Sequence, residues 1–295
     1  MGKARIYFIG VLICNAVFAY SQPKIGISGT LEWDKLRINS VVSLDMASAG
    51  LSLPGGRMQG EALIATEYAR LIRPAILNIQ VDSSSKIADI VNRGEWNSMN
   101  IEDFALQSRS VPPALSPDFS SMAASYTLSL ESLSAALIRH QRPADVPRTL
   151  NPVPAPVYTG IVIIASEALP VHGMKSTALV RPCLFPKIWD TEMKLLFERN
   201  MLDPGAGAMV HYCTAREIFT SAPSGLSPEI TAIVGSRPLR IFARSVFGIQ
   251  PTDPIISRED ALQIISNEGN HRLLREGRVA IIINDAMLTS PLPRE

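Results

Sequence analysis

The pattern of apolar and polar positions differs between the two halves of the chain. Residues 30–48 alternate imperfectly between apolar and polar side chains, and this pattern predicts short strands. Residues 158–165 (YTGIVIIA) and 278–284 (RVAIIIN) contain continuous apolar runs, which predict strands buried on both faces. Residues 123–138 begin with strand alternation and end in a pattern typical of a short helix.

Two longer segments have the apolar spacing of helices. In residues 58–77, Leu63, Ile64, Tyr68 and Leu71 recur at intervals of three and four, and Pro74 is expected to kink or end the helix. Residues 257–269 repeat this pattern, with Ser257 as the N-cap and Gly269 placed to end the helix. A shorter helix is predicted over 86–93, between capping residues 82–85 and Gly94.

Shorter β candidates fill much of the remaining chain. They lie at residues 77–81, 183–189, 193–199, 208–213, 233–234 and 238–248. Buried strands, with a capped helix between them in sequence, predict an α+β fold with helices packed on a mixed β-sheet.

A proline-rich segment separates the two halves. It spans residues 141–157 and carries prolines at 143, 147, 152, 154 and 156. Such a segment predicts an extended, semi-rigid connector, with a proline-rich recognition ligand as the alternative. The predicted organisation is an N-terminal α+β lobe at 22–140, the connector at 141–157, a C-terminal α+β lobe at 158–288 and a tail at 289–295.

The first 21 residues have the features of a signal peptide. Lys3 and Arg5 precede an uncharged run from Ile6 to Ala19, and small residues allow cleavage after Ala19 or Ser21. The sequence therefore predicts a periplasmic or otherwise exported protein. A retained membrane anchor and a buried first helix are the alternatives. Ile13 before Cys14 disfavours lipidation at that cysteine, because a lipidation site requires a small residue there.

Charge and composition exclude some partners. The chain has 28 basic and 27 acidic residues, so nothing attracts nucleic acid electrostatically. Hydrophobic residues make up 46% of the chain, which is enough for a packed core, and no later apolar run is long enough to span a membrane. The mature chain keeps only Cys183 and Cys213, which are predicted to be free thiols.

No residue pattern predicts a reaction, a cofactor or a metal site. His211 and Cys213 would share a face of a strand, but they need a third metal ligand from elsewhere. Cys183 and His211 are a conceivable thiolate and base, although two ordinary strand residues explain them better. The chain has no G-x-S-x-G and no phosphate loop, and the GAG at 205–207 lacks a dinucleotide fingerprint. We therefore predict no catalytic, cofactor-binding or metal-binding residues and no small-molecule substrate.

Several phrases of the sequence resemble a known family. VSLDMASAGLSLPGGR, PVPAPVYTGIVIIA, LPVHG, PCLFPKIWD and ERNMLDP resemble an uncharacterised family of bacterial (spirochaete) envelope proteins. VGSRPLRIFA, PIISREDALQII and LLREGRVAIIIN are weakly similar to the twenty-kilodalton outer-membrane lipoprotein group, which includes flagellum-associated lipoproteins.

The resemblance implies an α+β envelope protein with a structural or interaction role. Other envelope proteins would be its partners, and flagellar components are the more specific extension. The expectation is therefore a non-enzymatic exported protein that binds partners. The alternatives are a secreted hydrolase with a dispersed active site and a membrane-anchored surface protein.

Overall fold

The computed structural model describes residues 23–150, 152–222 and 225–293. The predicted signal peptide at 1–21, with Cys14 and both cleavage positions, lies outside the described residues. Within the described part of the chain, every helix is too short or too polar to cross a bilayer.

The described residues form strands and helices in an order that confirms the α+β class. The strands are β1 (Ile25–Glu32), β2 (Arg37–Asp45), β3 (Arg109–Ser110), β4 (Ala114–Leu115), β5 (Ser121–Ser129), β6 (Ile161–Ile164), β7 (Leu169–Pro170), β8 (Thr177–Ala178), β9 (Ile188–Asp190), β10 (Leu195–Phe197), β11 (His211–Cys213), β12 (Leu239–Phe242), β13 (Ser245–Phe247), β14 (Asp253–Ile256), β15 (Val279–Ile282) and β16 (Thr289–Pro291). The helices are α1 (Gly56–Leu77), α2 (Ile87–Asn92), α3 (Ser98–Leu106), α4 (Leu130–Leu137), α5 (Pro228–Val234), α6 (Arg258–Ile265), α7 (Glu268–Arg275) and α8 (Asp285–Leu288).

The N-terminal lobe is built on an antiparallel sheet with the order β16-β1-β2-β5-β3, and β4 also pairs with β5. Side chains of β2 and β5 alternate between a buried face, which includes Val42 and Leu128, and a more polar face, which includes Asn39 and Thr127. Helix α1 packs against the buried face through residues such as Ile64 and Ile72. This is the usual arrangement of an antiparallel sheet with one covered face.

The C-terminal lobe contains a parallel sheet with the order β11-β15-β6-β12. Every residue of β15 is buried, because its side chains enter two different hydrophobic clusters. Val279 and Ile281 pack in the large cluster that continues into the N-terminal lobe, whereas Ala280 and Ile282 pack against α5 and its surroundings. The lobe also has a mixed sheet, β10-β9-β14-β13, and the hairpin β7-β8.

The connector at 141–157 lacks regular secondary structure in its described part, and it packs against the C-terminal lobe. Val146 is buried, and the Ala144 amide donates to the Asn200 carbonyl at 2.7 Å. Farther along, the side-chain amide of Asn270 donates to the Pro156 carbonyl at 3.0 Å. The connector is therefore held against the C-terminal lobe at several points along its length.

Two short predicted strands are not strands. The expected strand at 233–234 belongs to α5, since Pro228 opens that helix and the Ser227 hydroxyl accepts from the Ile230 amide at 3.3 Å. The expected strand at 77–81 forms only an isolated bridge at Gln80, because α1 continues to Leu77.

Helix α1 ends at Leu77, the last residue of the predicted helix, and Pro74 lies inside it. One helix boundary differs from the prediction. The helix that begins after Ser257 ends at Ile265 rather than near Gly269. Gly269 instead lies in the first turn of α7, where its amide donates to the side chain of Asn267 at 2.8 Å.

The predicted tail at 289–295 is partly a strand. Residues Thr289–Pro291 form β16, which pairs with β1 at the edge of the N-terminal sheet. The Leu292 amide extends this pairing by donating to the Gly29 carbonyl at 3.0 Å. The end of the described chain therefore returns to the lobe in which it starts.

Candidate functional site

The two lobes meet around a loop formed by residues 79–86 of the N-terminal lobe. The Val81 carbonyl accepts from the Phe185 amide at 2.8 Å, and the Ser83 carbonyl accepts from the Gln250 amide at 2.8 Å. The loop is therefore held by two separate segments of the C-terminal lobe.

The sequence of the loop explains its shape. One carboxylate oxygen of Asp82 accepts from the amides of Ser84 and Ser85, both at 2.9 Å, and this pattern is typical of an Asx turn. Burial raises the pKa of Asp82, but these hydrogen bonds outweigh it and the net pKa is lowered. The turn is thus held by an ionised carboxylate.

A buried tyrosine connects the lobes on the other side of the junction. The Tyr212 hydroxyl donates to the Cys183 carbonyl and accepts from the Cys183 amide, both at 3.0 Å. The ring of Trp33, from the N-terminal lobe, meets Tyr212 edge-on with the centroids 6.0 Å apart. Tyr212 therefore fixes the loop around Cys183 and contacts the opposite lobe at once.

Asp253 is a fully buried carboxylate near this contact. Its Oδ1 accepts from the Thr252 hydroxyl at 2.7 Å and from the Lys187 amide at 3.2 Å. Its Oδ2 makes no hydrogen bond with a described residue. Burial raises the pKa of Asp253, and these hydrogen bonds offset only part of that effect.

The structure places both described cysteines, Cys183 and Cys213, inside the protein. Cys183 and Cys213 are buried free thiols, in agreement with the prediction for the cysteines. Burial raises the pKa of Cys183 well above its usual range and raises that of Cys213 to about 12. Burial also lowers the pKa of His211. Both thiols are therefore protonated at neutral pH, which opposes a role for Cys183 as a thiolate with His211 as its base.

The four histidines are scattered over the fold. His211 begins β11, and His140 contacts the Leu202 carbonyl through Nε2 at 2.7 Å. His271 is buried in α7, and His172 lies in the turn after β7. Among the described residues, no three or more His, Cys, Asp or Glu side chains come together as a metal site. The His211–Cys213 pair is thus not completed by a third ligand within the described part of the chain.

A cleft of about 360 Å³ opens where β16 and the 79–86 loop face the C-terminal lobe. Trp33 and Met287 contribute apolar surface, and Gln250 contributes an amide. Two cationic side chains reach it from opposite lobes, Lys86 from the loop and Arg181 from the segment before Cys183. We refer to this feature as the junction cleft.

The junction has no signature of its own in the sequence. Its residues come from segments around 33, 80, 181, 212, 250 and 287, and no spacing rule connects them. The capping segment predicted at residues 82–85 (DSSS) is the one local signal that falls on the loop.

Two family models match the chain. Residues 24–136 match the N-terminal domain of Treponema pallidum Tp0624, and residues 160–285 match the second domain of the same protein. No curated protein matches the chain. The matched segments correspond to the N-terminal and C-terminal lobes and occur in the same order as in Tp0624. Each lobe of the chain is therefore similar to the corresponding domain of Treponema pallidum Tp0624.

Proposed function

We propose that the protein is a non-enzymatic exported component of the cell envelope with a structural or partner-binding role. In this proposal a signal peptide is removed near Ala19 or Ser21, and the mature protein acts in the periplasm or beyond it. Other envelope proteins are its partners. A role beside flagellar components, suggested by the weak similarity to flagellum-associated lipoproteins, is the more specific form of the proposal.

One observation carries the proposal. A single hydrophobic cluster runs from Ile64 in the N-terminal lobe through Trp33 and Tyr212 to Ile163 in the C-terminal lobe. Fixed relative positions of two lobes suit a protein that presents a surface to partners. The buried, protonated thiols near the junction fit this role better than that of a hydrolase.

The proposal is tested by crosslinking in intact cells of the source organism, followed by purification of the protein and mass spectrometry. We expect reproducible crosslinks to a small set of envelope proteins. The same mass spectra should show a mature chain that begins at Tyr20 or Gln22. An intact Met1 or Gly2, or a lipid on Cys14, would contradict the proposed processing.

A second measurement tests the enzyme alternative. The purified protein should show no turnover in a broad hydrolase screen. A specific turnover that is lost in Cys183→Ser or His211→Gln, while both variants keep the unfolding temperature of the wild type, would replace the proposal with a hydrolase.

A further inference from the structure

We propose that the junction cleft binds a small organic anion, whose carboxylate or phosphate group is held between Lys86 and Arg181. This inference goes beyond the proposed envelope role and does not depend on it. It rests on the shape of the cleft, on the charges of its lining and on the origin of that lining in two lobes.

The size and position of the cleft suit a small ligand. Its volume of about 360 Å³ lies in the range of small-molecule sites, and such sites occur preferentially where domains meet. The half-buried side chains of Leu31 and Met287 provide apolar surface for the body of a ligand, while Gln250 provides an amide that can donate or accept. The expected ligand is therefore amphipathic rather than a bare ion.

The charges that line the cleft are of one sign. Lys86 and Arg181 are its charged lining residues, and neither forms an ion pair within the part of the chain that the structure describes. Lys86 Nζ is oriented by a hydrogen bond of 2.7 Å to Oδ1 of Asn78. An ammonium group and a guanidinium fork that face one cavity form a suitable receptor for a carboxylate or phosphate.

Two carboxylates on the same loop and helix as Lys86, Asp82 and Asp89, form no ion pair with it, and both accept from backbone amides. Asp82 accepts from amides inside its own turn. Asp89 Oδ2 accepts from the backbone amide of Lys86 at 2.8 Å and thereby caps α2. Both carboxylates therefore serve the local structure, and the cations of the cleft remain available to a ligand.

The two cations belong to different lobes, so a ligand bound between them would link the lobes. An anion between them would connect the 79–86 loop to the segment that carries Arg181. A ligand that binds only the folded protein raises its stability in proportion to the logarithm of its concentration above Kd. Binding should therefore raise the unfolding temperature, and it should change the fluorescence of Trp33.

The test uses the purified protein and three probes that share an aromatic body: phenyl phosphate, phenylacetate and the neutral benzyl alcohol. We expect at least one of the two anions to raise the unfolding temperature and change the tryptophan fluorescence at millimolar concentration. Whichever anion binds more tightly identifies the group, phosphate or carboxylate, that the cleft prefers. Benzyl alcohol should bind at least tenfold more weakly, by about 1.4 kcal/mol.

Charge-removing variants locate the site. Lys86→Gln and Arg181→Gln should each weaken binding about tenfold, and the double variant should abolish it, because each cation contributes a charge-assisted hydrogen bond. The matched control is the double variant Lys175→Gln/Arg237→Gln, which removes two exposed cations outside the cleft and should bind as the wild type does.

The proposal is wrong if neither anion binds at millimolar concentration, or if benzyl alcohol binds as tightly as the anions. It is also wrong if a folded Lys86→Gln/Arg181→Gln variant keeps wild-type affinity. Circular dichroism and the unfolding temperature without ligand establish that each variant is folded.

Discussion

The two main sheets of this protein differ in how many of their faces are buried. The antiparallel sheet of the N-terminal lobe buries one face against α1 and leaves the other more exposed. The central strands of the parallel sheet in the C-terminal lobe, β6 and β15, are buried on both faces, one in the core shared with the N-terminal lobe and one against α5. A substitution in a strand should therefore change the free energy of unfolding by a different amount in each sheet. Pairs of substitutions, one in each sheet, measure the difference.

The largest effect is expected at the centre of the parallel sheet. Ile163 in β6 is fully buried, and Ile163→Ala should lower the free energy of unfolding by about 2–5 kcal/mol, through lost burial and a cavity. Val41 in β2 is 39% exposed on the open face of the other sheet, so Val41→Ala should change it by less than about 0.5 kcal/mol. Urea unfolding of both variants measures the contrast. Equal losses would show that the sheets do not differ as described.

A second comparison adds atoms instead of removing them. A Cβ on Gly160, just before β6, would lie 2.4 Å from Cα and the carbonyl oxygen of Val234 in α5. Gly160→Ala should therefore cost about 1–3 kcal/mol, because the helix must shift. Gly26 in β1 has open space at the same position, so Gly26→Ala should cost nothing or slightly stabilise the fold. Thermal unfolding compares the two, and a neutral Gly160→Ala would mean that α5 packs loosely on the parallel sheet.

A third comparison uses one tyrosine from each lobe. Tyr212→Phe removes the hydrogen bonds to both backbone groups of Cys183 and should cost about 1–2 kcal/mol. Tyr126 stacks on Tyr68 at 3.8 Å, and the stack does not require its hydroxyl, so Tyr126→Phe should be close to neutral. Urea unfolding at neutral pH gives both values. If Tyr212→Phe were as mild as Tyr126→Phe, the tyrosine would not be fixing the junction.

The smallest effects concern the two carboxylates at the junction, which should respond to pH in opposite directions. The folded-state pKa of Asp253 is raised above 3.8, so its contribution to stability is lost as pH rises from 3.8 through the folded-state pKa. The folded-state pKa of Asp82 is lowered, so its contribution is present above 3.8 and is lost as pH falls through the folded-state pKa.

Asparagine variants separate the two contributions. At pH 7, Asp82→Asn should lower the free energy of unfolding by about 1 kcal/mol, because it weakens the hydrogen bonds of the turn. Asp253→Asn should leave that free energy unchanged or raise it, since it replaces a carboxyl group whose ionised form is disfavoured by burial. Unfolding measured between pH 3 and 7 gives the slopes. If Asp253→Asn were the more destabilising variant at pH 7, the raised pKa of Asp253 and the lowered pKa of Asp82 would be contradicted.

The sequence predicts some of this fold because certain signals are local. The apolar run before Asn284 required a strand buried on both faces, and the Ser257 N-cap correctly placed the start of α6. Ile233 and Val234 were misassigned because two apolar residues are too few to distinguish the period of a strand from that of a helix. The junction could not be predicted, since Lys86 and Arg181 come to line one cleft only through the packing of distant segments.

Strand β16 determines when the N-terminal sheet can be completed. The N-terminal sheet receives this edge strand from residues Thr289–Pro291, which pair with Thr30–Glu32. A ribosome has therefore translated both lobes before the first sheet can be completed. Contacts between such distant segments slow folding, and until they form, β1 keeps an unpaired edge open to other chains. The edge of β1 is therefore protected only after β16 has paired with it.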